Sequence, residues 1–99
     1  MDNLEQICFE MIVIGGQAKS EYLKAIDLAK KKEYEKAQEA LLEADRLYQN
    51  GEKKHLELIA DSSIQPSILL LHAEDILSNS EVVGILARQL IDFYKDTEK

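Results

Sequence analysis

The sequence predicts an all-α fold: an antiparallel three-helix bundle running up, down and up. Three observations predict it. Apolar residues recur at three-four spacing along most of the chain, and the period-two alternation of a half-buried strand is absent. Only two breaks interrupt the pattern, so the helices between them are long. At 99 residues the chain reads as a single domain, 1–99.

The first helix carries Leu4, Ile7, Cys8, Met11, Ile14, Gly15, Ala18, Tyr22, Ala25, Ile26 and Ala29 on one stripe. Phe9, Ile12 and Val13 add apolar surface beside it, and a helix apolar on more than one side must bury more than one side. A weak break follows at Lys30-Lys31-Lys32-Glu33, where cations close one helix and a glutamate opens the next. The second helix repeats Tyr34, Ala37, Leu41, Ala44, Tyr48, Gly51, His55 and Leu58. Asn50-Gly51 would ordinarily mark a turn. The stripe keeps its phase across the dipeptide, which predicts one unbroken helix.

Ser62-Ser63-Ile64-Gln65-Pro66-Ser67 is the strong break, with Pro66 suited to a first helical turn. The third helix runs from about Ser67 to Tyr94, with Leu69, Ala73, Ile76, Val83, Ala87, Leu90 and Tyr94 as its core stripe. Each helix would span about 40 Å at ~1.5 Å per residue, giving a tall, thin monomer. Such a shape has little core for its surface. With a first helix apolar on two sides, it predicts self-association through helix packing. Gly15, Gly16, Gly51 and Gly84 each lower helix propensity, so each is read as a place where helices approach closely.

Composition excludes several functions. Nineteen acids against twelve bases give a net charge of −7, which disfavours binding to a phosphate backbone and suits a basic partner. No run approaches the ~18 uncharged apolar residues of a membrane span, so no direct membrane insertion is expected. One cysteine forms no internal disulfide or thiolate zinc site, and the chain reads as cytoplasmic. Cys8 is read as buried and inert, His55 as interfacial or exposed, and the four tyrosines as packing residues.

A second stripe on the third helix does not suit a core. It holds Ile68, His72, Asp75, Asn79, Val82 and Leu86, apolar at both ends and polar in the middle. Three to four residues apart, the imidazole and the carboxylate share a helix face. Three readings stay open: a polar seam that fixes helix register; a metal site that one chain cannot complete, since zinc takes about four ligands; and a nucleophilic histidine that takes up a phosphoryl group.

Leu69-Leu70-Leu71-His72-Ala73-Glu74-Asp75 resembles a motif of the lactose/cellobiose-type enzyme IIA proteins of the bacterial sugar phosphotransferase system, approximately L-L-x-H-A-Q-D-H-L-M-T. Gly15-Gly16-Gln17-Ala18-Lys19-Ser20 is similar to the family's glycine- and alanine-rich first helix. Glu35-Lys36-Ala37 through Glu43-Ala44, with Glu57-Leu58-Ile59, resembles its second helix. The resemblance covers nearly the whole chain.

It implies a parallel homotrimer of nine helices. It also implies that His72 accepts phosphate from the carrier HPr and passes it to a cysteine of the IIB component, with the IIC membrane permease an indirect partner. Asp75 would lie near the threefold axis, where three copies hold one divalent, magnesium-like structural metal; no organic cofactor is implied. Glu74, Asn79, Gly15 and Gly16 would face partners or support the site, the two glycines leaving room over the histidine.

The sequence departs from the family pattern at three places. Ile76 stands where a second histidine is usual, Glu74 replaces glutamine, and Leu77-Ser78-Asn79 replaces Leu-Met-Thr. Ile76 implies transfer without a second histidine and possible loss of activity. Glu74 implies a negative charge beside the acceptor. The alternatives are a IIA-like regulatory binding protein and a non-catalytic helical adaptor, because Ala25 to Tyr48 also looks like a tetratricopeptide or microtubule-interacting helix pair. A second rival is a histidine phosphotransfer domain, also a helical bundle with one reactive histidine, although Glu74-Asp75-Ile76 stands where its usual lysine and glycine would follow the histidine.

Overall fold

The computed structural model describes residues 3–97, so the outermost ends of the expected 1–99 domain lie outside the described residues. Three helices run in chain order: α1, Asn3–Lys30; α2, Tyr34–Ile59; and α3, Ile68–Asp96. No strand occurs among the described residues, and none of the helices is long and apolar enough to cross a membrane. They form a rod of 55 × 18 × 17 Å.

Helix α1 is the middle element. It packs along both α2 and α3, which touch each other far less. The single stripe from Cys8 to Ala29 is what α1 buries between them, whereas Phe9 and Val13, on its second apolar side, are exposed. The interfaces are lined by small residues, with Ala18, Ala25, Ala37, Ala44, Ala73 and Ala87 all fully buried. Near the loop joining α1 to α2 the core gathers around Tyr22, Leu41 and Ile91; toward the other end it gathers around Cys8, Met11, Leu70 and Leu77. Gly84 lets α3 lie on the Tyr22 ring: a β-carbon there would sit 2.6 Å from the ring's Cζ.

Helix α1 ends in a Schellman arrangement. The Glu33 N–H donates to the Leu28 carbonyl and the Lys32 N–H to the Ala29 carbonyl, both at 2.9 Å. Lys32 occupies the left-handed position usually filled by glycine, at φ 66°. Glu33 is the N-cap of α2, but its carboxylate does not cap; it meets the Lys36 ammonium instead. Helix α2 continues through Asn50-Gly51, as its unbroken stripe requires. Pro66 lies outside α3 instead of in its first turn. Ser67 is the N-cap, and its hydroxyl accepts a 3.1 Å bond from the Leu70 N–H.

Most of the expected stripes of α1 and α2 is buried, with Ala40 added to α2, while Leu4, Ile7, Ile14, Ile26, Tyr34, Tyr48 and His55 are half-buried. Helix α3 differs. Its buried line is Leu70, Ala73, Leu77, Ser80, Gly84, Ala87 and Ile91. Leu69, Ile76, Val83 and Tyr94 are half-buried at its margin, and Leu90 is exposed. With large apolar residues on most sides of α3, periodicity sets the repeat but not the phase. The buried line includes the small residues Ser80 and Gly84, and Gly84 lies against the Tyr22 ring of α1. The buried Ser80 hydroxyl is satisfied by the Leu77 carbonyl at 2.7 Å.

Candidate functional site

The second stripe of α3 lies on the surface of the chain. Ile68, His72, Asp75, Asn79, Val82 and Leu86 are all exposed, Ile68 at 88%. Its polar middle borders α1 across a groove of about 590 Å³. Helix α1 contributes Ile12, Gly16 and Lys19, one face at four- and three-residue spacing. Helix α3 contributes His72, Asp75, Ile76 and Asn79. The His72 and Asp75 side chains make no hydrogen bond or ion pair with any described residue.

The two adjacent glycines do different things. Gly15 is buried against α3, where a β-carbon would meet Ile76 Cγ2 at 2.8 Å. That contact brings the helices together beneath the groove. Gly16 lines the groove, and a β-carbon on it would find nothing within 4 Å. The open space above the floor is therefore on the Gly16 side. Ile76 forms apolar floor between the two glycines and His72.

Glu74 does not face this groove. Two residues along a helix point about 200° apart, so the Glu74 carboxylate turns to α2. There it meets His55 Nε2 at 2.7 Å. His55 Nδ1 also lies 3.6 Å from Glu52, and the Tyr48 hydroxyl bonds Glu52 and Glu81. Burial first, then the bond to Glu81, pushes the Tyr48 phenol up. The negative charge expected beside His72 is thus engaged on the other side of α3. His55 is interfacial and half-buried, and Cys8 is fully buried.

A second polar cluster ties the three helices together toward the opposite end. The Tyr22 hydroxyl donates to Asp45 at 2.6 Å, and Asp45 also pairs with Arg88. Burial, with the Asp45 bond second, holds the Tyr22 phenol up at about 12.

No cluster of three metal-ligating side chains occurs among the described residues. His72 and Asp75 together offer at most two ligands from one chain, so a metal there needs further copies. Sequence reasoning missed Lys19 as a groove residue. The four- and three-residue spacing of Ile12, Gly16 and Lys19 puts them on one face of α1, but only the packing of α1 on α3 brings that face to His72.

Residues 6–95 match the family model described as PTS system, Lactose/Cellobiose specific IIA subunit. The chain is 31% identical over 98 residues to the lactose-specific EIIA component of Staphylococcus epidermidis, covering 95% of this chain and 94% of that protein. It is 30% identical to the lichenan-specific enzyme IIA component of Bacillus subtilis, over 95% and 89% of the two chains. The crystal structure of the cellobiose-specific enzyme IIA from Bacillus anthracis superposes with a TM-score of 0.94 at 34% identity, over 99% of this chain and 94% of that one. The Escherichia coli IIA(Chitobiose) protein, solved in complex with HPr, has the same fold, with a TM-score of 0.91 at 21% identity over the whole of both chains. The chain belongs to the lactose/cellobiose-specific IIA subunit family of the phosphotransferase system.

Proposed function

We propose that this chain is a phosphocarrier in which His72 takes a phosphoryl group from phospho-HPr and passes it to a cysteine of the IIB component. The exposed imidazole, unpaired in an open groove, carries the proposal. A neutral ring nitrogen of His72 attacks phosphorus with its lone pair. An N–P bond forms as the bond from phosphorus to its donor atom on HPr breaks, and that electron pair stays with HPr. In the onward step the IIB thiolate attacks, an S–P bond forms, and the imidazole recovers its lone pair. Such a transfer needs positioning and charge neutralisation. The family supports this choice of donor, and so does the HPr complex solved for an E. coli protein of the same fold.

The chain works as a cytoplasmic homotrimer, supplying sugar uptake through IIB and the IIC permease. Exposed Ile68, Val82 and Leu86 flank Asp75 on α3, an apolar face that association covers. Three copies of Asp75 brought together would repel, and a divalent cation held by them supplies the neutralising charge. Ile76 leaves His72 as the one imidazole of its groove, so transfer proceeds without a second histidine, at a rate lowered by its loss.

Incubation with phosphoenolpyruvate, enzyme I and HPr, read by intact mass, tests the proposal. The natural chain gains one acid-labile phosphoryl group and His72→Ala gains none. No gain by the natural chain overturns the carrier function and leaves a IIA-like binding protein.

A further inference from the structure

We infer that Lys19 neutralises the phosphoryl group during its transfer to His72, an inference that rests on the carrier function proposed above. Of the twelve lysines and arginines, Lys19 alone has no aspartate or glutamate three or four residues away. Its neighbours at those positions are Gly15, Gly16, Tyr22 and Leu23. Among the described cations that form ion pairs, Lys36 meets Glu33 and Arg46 meets Glu43 within a helix, and Lys54 meets Glu10 and Arg88 meets Asp45 across helices. The Lys19 ammonium also makes no hydrogen bond or ion pair with a described residue.

This uncompensated ammonium lines the same groove as His72, with Gly16 leaving open space between the helices. The groove's other charge is the Asp75 carboxylate. A phosphoryl group brings close to two negative charges at neutral pH, onto a chain of net charge −7. Without a cation the groove repels its own cargo. Lysine suits the task, because its compact ammonium on a flexible stem can follow phosphoryl oxygens as they pass from the donor to the imidazole. The N–P bonds break and form as described above, and Lys19 exchanges no proton.

Steady-state transfer from phospho-HPr to the natural chain, Lys19→Met and Lys19→Arg tests the inference. Lys19→Met keeps the stem of an exposed side chain and so leaves the fold intact, which circular dichroism checks. We expect kcat to fall about 10- to 100-fold in Lys19→Met with KM nearly unchanged, the loss of one transition-state charge contact. Lys19→Arg, which keeps the charge, should stay within about threefold of the natural chain. An unchanged kcat in Lys19→Met overturns the inference, and so does a rise confined to KM, which makes Lys19 a docking contact. If the natural chain takes up no phosphate, the carrier function itself fails and this role fails with it.

Discussion

Gly15 and Ile76 are in contact where α1 passes beneath the groove, with room for a hydrogen but not for a methyl group. A β-carbon on Gly15 would lie 2.8 Å from Ile76 Cγ2, and Ile76 is a branched side chain with little freedom to turn away. Its neighbour Gly16 has nothing within 4 Å. Two adjacent glycines therefore predict opposite outcomes. Gly16→Ala should gain about 1 kcal/mol from helix propensity. Gly15→Ala should lose about 1 kcal/mol, because overpacking of about 1–3 kcal/mol exceeds the same propensity gain. Urea denaturation of the two variants checks both signs, and equal gains would mean that the contact is not tight.

Lys32 closes α1 in a left-handed conformation, at φ 66°. A residue with a β-carbon costs roughly 1–2 kcal/mol there, whereas glycine does not. Lys32→Gly should therefore raise stability by about 1 kcal/mol, less the extra entropy glycine gives the unfolded chain. A shift in the urea midpoint at constant slope is the readout.

The Tyr22 phenol predicts a pH dependence. Its value is raised from 10.0 to about 12, so the protonated form is favoured in the folded state. The stability this contributes is complete below pH 10 and is lost as pH rises through about 12. Tyr22→Phe lacks the titrating group. Its stability should therefore fall less than that of the natural chain between pH 9 and about 11.5, by on the order of 2 kcal/mol. Parallel denaturation curves at the two pH values measure the difference. A loss in Tyr22→Phe as steep as the natural chain's would assign the effect to other groups.

Glu74 belongs to the packing of α2 on α3 through His55. Glu74→Gln should cost about 1 kcal/mol of stability by weakening a half-buried, charge-assisted hydrogen bond. Phosphate uptake by His72 should stay within about twofold, since the carboxylate points away from the groove and lies behind the helix. A large acceleration of uptake would show instead that Glu74 acts on the acceptor.

The sequence made much of this legible, for reasons that differ by element. The stripes of α1 and α2 were readable because each keeps its three-four phase along the whole helix, and the unbroken phase from Tyr48 through Gly51 to His55 overrode the turn propensity of Asn50-Gly51. His72, Asp75 and Asn79 stood out because they interrupt an otherwise apolar line. Helix α3 misled, since Leu69, Leu70 and Leu71 are alike in hydropathy and only packing against α1 decides which is buried. Lys19 and the Glu74–His55 pair depend on which faces of two helices oppose each other. A one-dimensional pattern does not carry that information.

The central claim is that His72 carries the phosphoryl group, and the chain offers only one other histidine, His55. The most direct measurement is fragmentation mass spectrometry of the chain after incubation with phosphoenolpyruvate, enzyme I and HPr, under conditions that preserve acid-labile phosphate. The structure predicts the modification on the fragment holding His72, because its ring is exposed and unpaired, whereas the His55 imidazole is held between Glu52 and Glu74. Phosphate on His55, or on neither histidine, would contradict it.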